Sequence, residues 1–167
     1  MSANNVRRGP NIRFSVPFVK GKERPRVTGN GAFTPQETQI AEMQIWQAYK
    51  KASLDKYGKI LEAPKGVPVH VIIKVYGTMP ESAPKSKGEA EPFTQKPDAD
   101  NVIKAVLDAL NPKRIRKGNH VYSRHGAWID DAQVVRVICH KVERRRMVPE
   151  RTDVIVIFGN GIGESHE

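Results

Sequence analysis

The sequence predicts a single α+β domain, a mixed sheet of four to five strands with two main helices. Three observations predict it. Apolar residues alternate with period two at 12–18 and again at 69–75. They recur at i, i+3 and i+4 intervals across 98–110, which is helical spacing. The length, 167 residues, suits one ordinary domain with enough chain to bury a core.

The elements follow in order. Residues 1–11 read as a flexible basic N-terminus, 12–158 as the folded domain and 159–167 as a flexible tail. Ile12, Phe14, Val16 and Phe18 mark a strand with one buried face. Gly29-Asn30-Gly31 is a tight-turn signal, so 24–34 reads as a small hairpin. Pro35 stands where a helix can start, with Thr34 as N-cap and Glu37 in the first turn. Ile40, Met43, Ile45, Trp46, Tyr49, Ala52 and Leu54 carry that helix to about Tyr57, and Gly58 stops it. Val69, Val71, Ile73 and Val75 share one face of a strand at 67–76. Pro80, Pro84, Pro92 and Pro97 punctuate a mobile loop at about 78–97. Val102, Ile103, Val106, Leu107 and Leu110 form the apolar stripe of the second helix. A basic insertion occupies about 111–127, with a short strand at Val121-Tyr122. Strands at 133–141 and 154–158 complete the set.

Composition bounds the function. Lys and Arg number 28 against 18 Asp and Glu, a net charge of +10. That favours a polyanionic partner, most simply nucleic acid, with solubility as the plain alternative. A single Cys excludes an intramolecular disulfide and a four-cysteine zinc site. The longest apolar run is about five residues, far short of the ~20 a membrane helix needs. Met1 to Pro10 is polar, carries Arg7 and Arg8, and leads into no apolar signal core. The expectation is a cytoplasmic chain. The positive charge gathers in three segments, 1–26, 111–126 and 141–151. They either converge on one face or form three solvated loops.

The acids gather in two short motifs. One is Lys96-Pro97-Asp98-Ala99-Asp100-Asn101, and the other is Trp128-Ile129-Asp130-Asp131. Pro97 disfavours a helical Lys96, so the helix begins after it and Asp98 or Asp100 can cap it. A cap needs only one of them. Two Asp two apart in extended chain point to one side and suit Mg²⁺, which prefers hard oxygen ligands. Asp130-Asp131 reads either as a turn or as the source of a third carboxylate beside the helix start. Three carboxylates packed together repel unless a cation joins them. Lys104, four residues after Asp100, is either a surface pair worth ~0.3–0.5 kcal/mol or a cation for a scissile phosphate. Asp108 reads as a lysine partner, and Trp128 as core or as a wall of the site. Arg24-Pro25-Arg26 is a phosphate clamp or a solvated turn.

The run from Lys96 to Leu110, joined to Trp128-Ile129-Asp130-Asp131-Ala132-Gln133-Val134, resembles the RusA family of Holliday-junction resolvases. Arg24-Pro25-Arg26 and Gly31-Ala32-Phe33-Thr34-Pro35 resemble the amino-terminal part of its members. The resemblance implies a Mg²⁺-dependent endonuclease, with Mn²⁺ able to substitute, that works as a homodimer on four-way DNA junctions in recombination and repair. It implies active-site and metal-binding acids at Asp98, Asp100 and Asp131, a functional lysine at Lys104, and Asp130, the neighbouring acid of the pair, as a further candidate metal ligand. It suggests a phage or prophage origin. The segment between Leu110 and Trp128 is longer and more basic than in typical members, so DNA contacts are expected at Lys113, Arg114, Arg116 and Lys117 beside Arg24 and Arg26. The alternatives are a non-catalytic branched-DNA-binding protein on the same fold and a nuclease for another branched DNA.

Overall fold

A computed structural model of the protein describes residues 9–159. Arg7, Arg8 and the tail beyond Gly159 lie outside the described residues.

Alternation builds the sheet. In β1 (Asn11–Val16), Ile12, Phe14 and Val16 are buried while Arg13 and Ser15 face solvent. In β4 (Val69–Met79), Val69, Val71, Ile73 and Val75 are wholly buried. In β9 (Arg151–Phe158), Val154, Val156 and Phe158 are buried. With β5 (Ala90–Glu91) and β8 (Val134–Arg146) these strands form one sheet, ordered β1-β9-β4-β8-β5. The β4–β8 pair is parallel and the other neighbours are antiparallel, so the sheet is mixed as expected.

Two helices pack onto the inward row. Ile45, Trp46 and Tyr49 of α1 (Gln36–Tyr57) join Val102, Val106 and Leu110 of α2 (Ala99–Leu110) and the buried sheet residues in one core. Trp46 stacks on Tyr49 at 5.6 Å, and the Tyr49 hydroxyl donates to the Leu61 carbonyl at 2.7 Å. Gly58 ends α1 in the left-handed region at φ 68, where a side chain would be strained. Two hairpins stand outside the sheet. One pairs β2 (Arg26–Thr28) with β3 (Gly31–Phe33), and the other pairs β6 (Lys113–Lys117) with β7 (His120–Arg124).

Several local expectations change. Pro35, not Thr34, holds the N-cap position of α1, with no side-chain cap, and Glu37 pairs with Lys20 instead. Ile40, Met43 and Leu54 lie off the buried stripe of that helix. The segment at 111–127 is a full hairpin rather than a connection with one short strand, because its two basic runs pair in register. β8 and β9 reach well past the apolar residues that announced them, into Arg144–Arg146 and back from Arg151.

The segment expected as a bare loop carries structure of its own. β4 runs on to Met79, Lys85–Lys87 make a 3₁₀ turn, and Ala90 and Glu91 pair with β8. The Arg146 guanidinium donates to five carbonyls between Pro80 and Gly88, at 3.0–3.4 Å. Arg144 donates to the Thr78 carbonyl and pairs with Glu91 at 3.2 Å. Arg144 and Arg146 of this basic cluster therefore bind the protein itself. Charge-assisted bonds of this kind contribute more than neutral ones. Arg146→Ala is expected to cost roughly 2 kcal/mol and lower the melting temperature by about 4–8 °C. A melting point unchanged within 1 °C, on the order of experimental error, would mean that water replaces the guanidinium without loss.

Candidate active site

The first acidic motif sits where the chain enters α2. The Lys96-Pro97 peptide is cis, and Asp98 holds the N-cap position with extended backbone. Its carboxylate makes no cap hydrogen bond and accepts from the Lys96 ammonium instead. That bond, with the nearby Lys96 and Lys141 charges adding, holds the Asp98 carboxyl below the usual carboxylate range. The capping role therefore does not account for Asp98. Asp100 lies in the first turn, exposed, with Lys104 Nζ at 3.5 Å.

One face of α2 carries the site onward. Lys104, Leu107, Asp108 and Asn111 line a cavity of about 240 Å³ together with Trp128 and Asp131. Asp108 is taken by Lys22, an ion pair bridging 86 residues of sequence. The same segment crosses α2 closely. Lys22 N–H donates to the Asn101 carbonyl at 2.9 Å. A Cβ on Gly21 would stand 2.7 Å from Pro97 Cβ and 3.0 Å from Asn101 Cβ, so only glycine fits. Trp128 is wholly buried, and its indole N–H donates to the Asn111 side chain at the end of α2. It is both core and wall, and it fixes the second acidic motif to the helix.

The two neighbouring aspartates do different work. Asp130 caps a 3₁₀ turn at Asp131–Gln133, its carboxylate accepting from Ala132 N–H at 2.9 Å. That bond first, and contact with the Asp131 side chain second, hold its carboxyl below the usual range. Gln133 completes the box, accepting from the Ile129 and Asp130 N–H groups at 2.9 Å and donating to the Pro64 carbonyl at 2.7 Å. Asp130 faces a second cavity, with Lys65, Ile129 and Val135. Asp131 faces the cavity that holds Lys104. The turn reading thus accounts for Asp130 and leaves Asp131 over.

The sequence left open whether the third carboxylate lies at the helix start. It does not. The start of β8 lies against the later half of α2, since Val134 and Val137 line the cavity with Lys104 and Leu107. Lys141, farther along β8, lies near Asp98. Strand and helix therefore run in opposite directions. Asp131 shares a cavity with Lys104, and Lys104 pairs with Asp100, while Asp98 stands beyond them. Among the described residues, no three His, Cys, Asp or Glu side chains stand close enough to hold one metal ion.

A family model described as Endodeoxyribonuclease RusA matches residues 17–156. The chain belongs to the RusA family. The match takes in both acidic motifs and the hairpin between them. Over 96 residues the chain is also 34% identical to the Uncharacterized protein YqaN of Bacillus subtilis (strain 168), a stretch covering 53% of this chain and 56% of that protein. The chain thus spans about half the length of that curated relative. RusA is an endodeoxyribonuclease family.

The basic residues separate just as the aspartates do. Lys113 is bound to Glu42 of α1, and Arg124 lies 4.4 Å over the Trp46 ring while donating to the Ala109 and Asn111 carbonyls at 2.7 Å. Both moor the base of the β6–β7 hairpin. Its register puts Arg114, Arg116, Val121 and Ser123 on the opposite, exposed face, with Lys117 exposed near the turn. Arg24 and Arg26 are exposed, and Arg26 lies 3.9 Å from Glu23. Sequence reading missed Lys22, Lys96, Lys113 and Lys141 as partners of acids or backbone. Only Lys96, two residues from Asp98, carried a local signal.

Proposed function

We propose that this RusA-family chain is a Mg²⁺-dependent, structure-selective endonuclease that resolves four-way DNA junctions by paired phosphodiester hydrolysis. The observation that carries the proposal is the meeting of Asp131 and Lys104 in one open cavity, with Asp100 bonded to the same lysine. Asp98, Asp100 and Asp131 are exposed oxygen donors. Mg²⁺ or Mn²⁺ needs only one or two such carboxylates beside waters and a phosphate, so no three-acid cluster is required. A divalent ion held by these acids would supply an activated water and charge stabilisation at the phosphate. Lys96 pairs with Asp98 and Lys104 with Asp100, and Lys104 also lines the cavity of Asp131. Three carboxylates beside a phosphodiester repel it, and these two lysines reduce that repulsion.

Junction resolution needs two cuts related by near two-fold symmetry, which a C2 homodimer supplies. Arg24, Arg26, Arg114, Arg116 and Lys117 are the DNA contacts we assign, through phosphates and counterion release. Lys113 is assigned to anchoring the hairpin instead.

The test is cleavage of four-way, Y-shaped and linear DNA with and without Mg²⁺. Symmetric nicks in the four-way junction alone support the reading. Tight binding with no product in any metal identifies a non-catalytic branched-DNA protein, and preferred cutting of the Y form identifies another substrate. Replacing Arg114, Arg116 and Lys117 by Ala should weaken junction binding and flatten the salt slope by roughly one unit for each phosphate no longer neutralised. Lys113→Ala should leave the slope unchanged and lower stability. Equal slopes for all four variants would take the hairpin off the DNA.

A further inference from the structure

The chain from β5 to α2 is held at every second residue. Glu91 pairs with Arg144 at 3.2 Å. Phe93 is buried, with Lys141 Nζ 4.6 Å from its ring centroid. The Gln95 carbonyl accepts from the same Lys141 Nζ at 2.5 Å. Pro97 lies against Gly21 so closely that a Cβ there would stand 2.7 Å from Pro97 Cβ. The even residues Pro92, Thr94, Lys96 and Asp98 are exposed. Held and exposed residues thus alternate from Glu91 to Asp98, and the outward set includes Lys96 and Asp98.

Lys141 makes two of these attachments with one ammonium. Its position follows from β8, whose inward row passes from Val137 and Cys139 to Lys141 as the strand leaves the apolar core. The row continues to Arg144 only because the register of β8 on β4 slips between Val75 and Tyr76. Gly77 leaves the room: a Cβ there would stand 2.7 Å from Arg144 Cγ and 3.1 Å from the Phe93 ring. Gln95 Oε1 is buried with no hydrogen-bond partner among the described residues, so the main-chain bond from Lys141 is what holds Gln95. The ammonium is engaged by a carbonyl and a ring, which makes it a poor phosphate contact.

We infer that Lys141 is a positioning residue: by latching the Gln95 carbonyl and the Phe93 ring to β8, it fixes where the Asp98 carboxylate stands at the start of α2. The inference rests on the reading of Asp98 as an active-site acid. Lys141, Arg144 and Arg146 of the third basic cluster then support the site and its surroundings rather than the DNA-binding surface.

The test is Lys141→Met, which keeps the stem over Phe93 and removes the ammonium, with Lys141→Arg as the conservative partner. Three measurements are made on the full chain: amide hydrogen exchange at 92–98, single-turnover junction cleavage, and junction affinity across salt concentrations. Lys141→Met should speed exchange at 92–98 about tenfold and slow cleavage about tenfold. Affinity and salt slope should stay unchanged, and Lys141→Arg should restore both rates. A weaker affinity with a flatter slope would make Lys141 a phosphate contact and overturn the inference. So would exchange that does not change. If the wild-type chain cuts no DNA, the nuclease reading fails while hydrogen exchange still decides whether the latch exists.

Discussion

Asp131→Asn is expected to reduce junction cleavage by roughly 10³-fold, on the scale of losing a group that stabilises charge in the transition state. Asp130→Asn, one residue away, should cut at a rate close to wild type. The contrast follows from direction. Asp131 faces the cavity of Lys104, whereas Asp130 accepts from Ala132 N–H and belongs to the turn. Asn caps as well as Asp does, so Asp130→Asn also keeps its stability. Asp130→Ala removes the cap and should cost ~1 kcal/mol, read as a shift in the denaturation midpoint. Equal loss of cleavage in Asp130→Asn and Asp131→Asn would place both acids in the chemistry and refute the division.

Lys104→Ala is expected to lower cleavage by roughly 10²-fold while junction affinity stays within a factor of about two. The ammonium lies 3.5 Å from Asp100 and lines the cavity of Asp131, so its removal leaves two acids with no cation between them. Stability should hardly move, since an exposed i, i+4 pair contributes less than ~0.5 kcal/mol. Parallel loss of affinity and rate would make Lys104 a simple DNA contact. A Lys104→Arg variant sharpens the result, because a planar guanidinium keeps the charge but changes where it sits.

Local periodicity made the helices, the first hairpin and the inward faces of the strands legible. Val69, Val71, Ile73 and Val75 announce β4, and the spacing of Val102, Val106 and Leu110 announces α2. What hid the rest was charge. The β6–β7 hairpin is built from Lys113, Arg114, Arg116, Lys117 and Arg124, residues whose pairing depends on Glu42 and Trp46 far away in sequence. The last third of β8 is nearly all cations, and nothing local says that Arg144 and Arg146 turn inward onto carbonyls. The acids were visible as motifs, yet their division was not. Whether Asp130 or Asp131 caps a turn depends on Gln133 reaching Pro64, and whether Asp131 meets Asp98 depends on which way α2 runs along β8.

The parallel pairing of β4 with β8 has a kinetic consequence. Val69 meets Val134, so both acidic motifs and the basic hairpin fall within the single excursion between those strands. Closing so long a connection is entropically costly and slow relative to helix or hairpin formation. Asp131 stands at the far end of that excursion, next to β8, so its place against α2 is fixed as the excursion closes. During refolding, helicity should therefore recover first and strand cleavage last. If the chain cuts DNA as proposed, one still emerging from the ribosome would carry its positive charge before it could cut the nucleic acid around it.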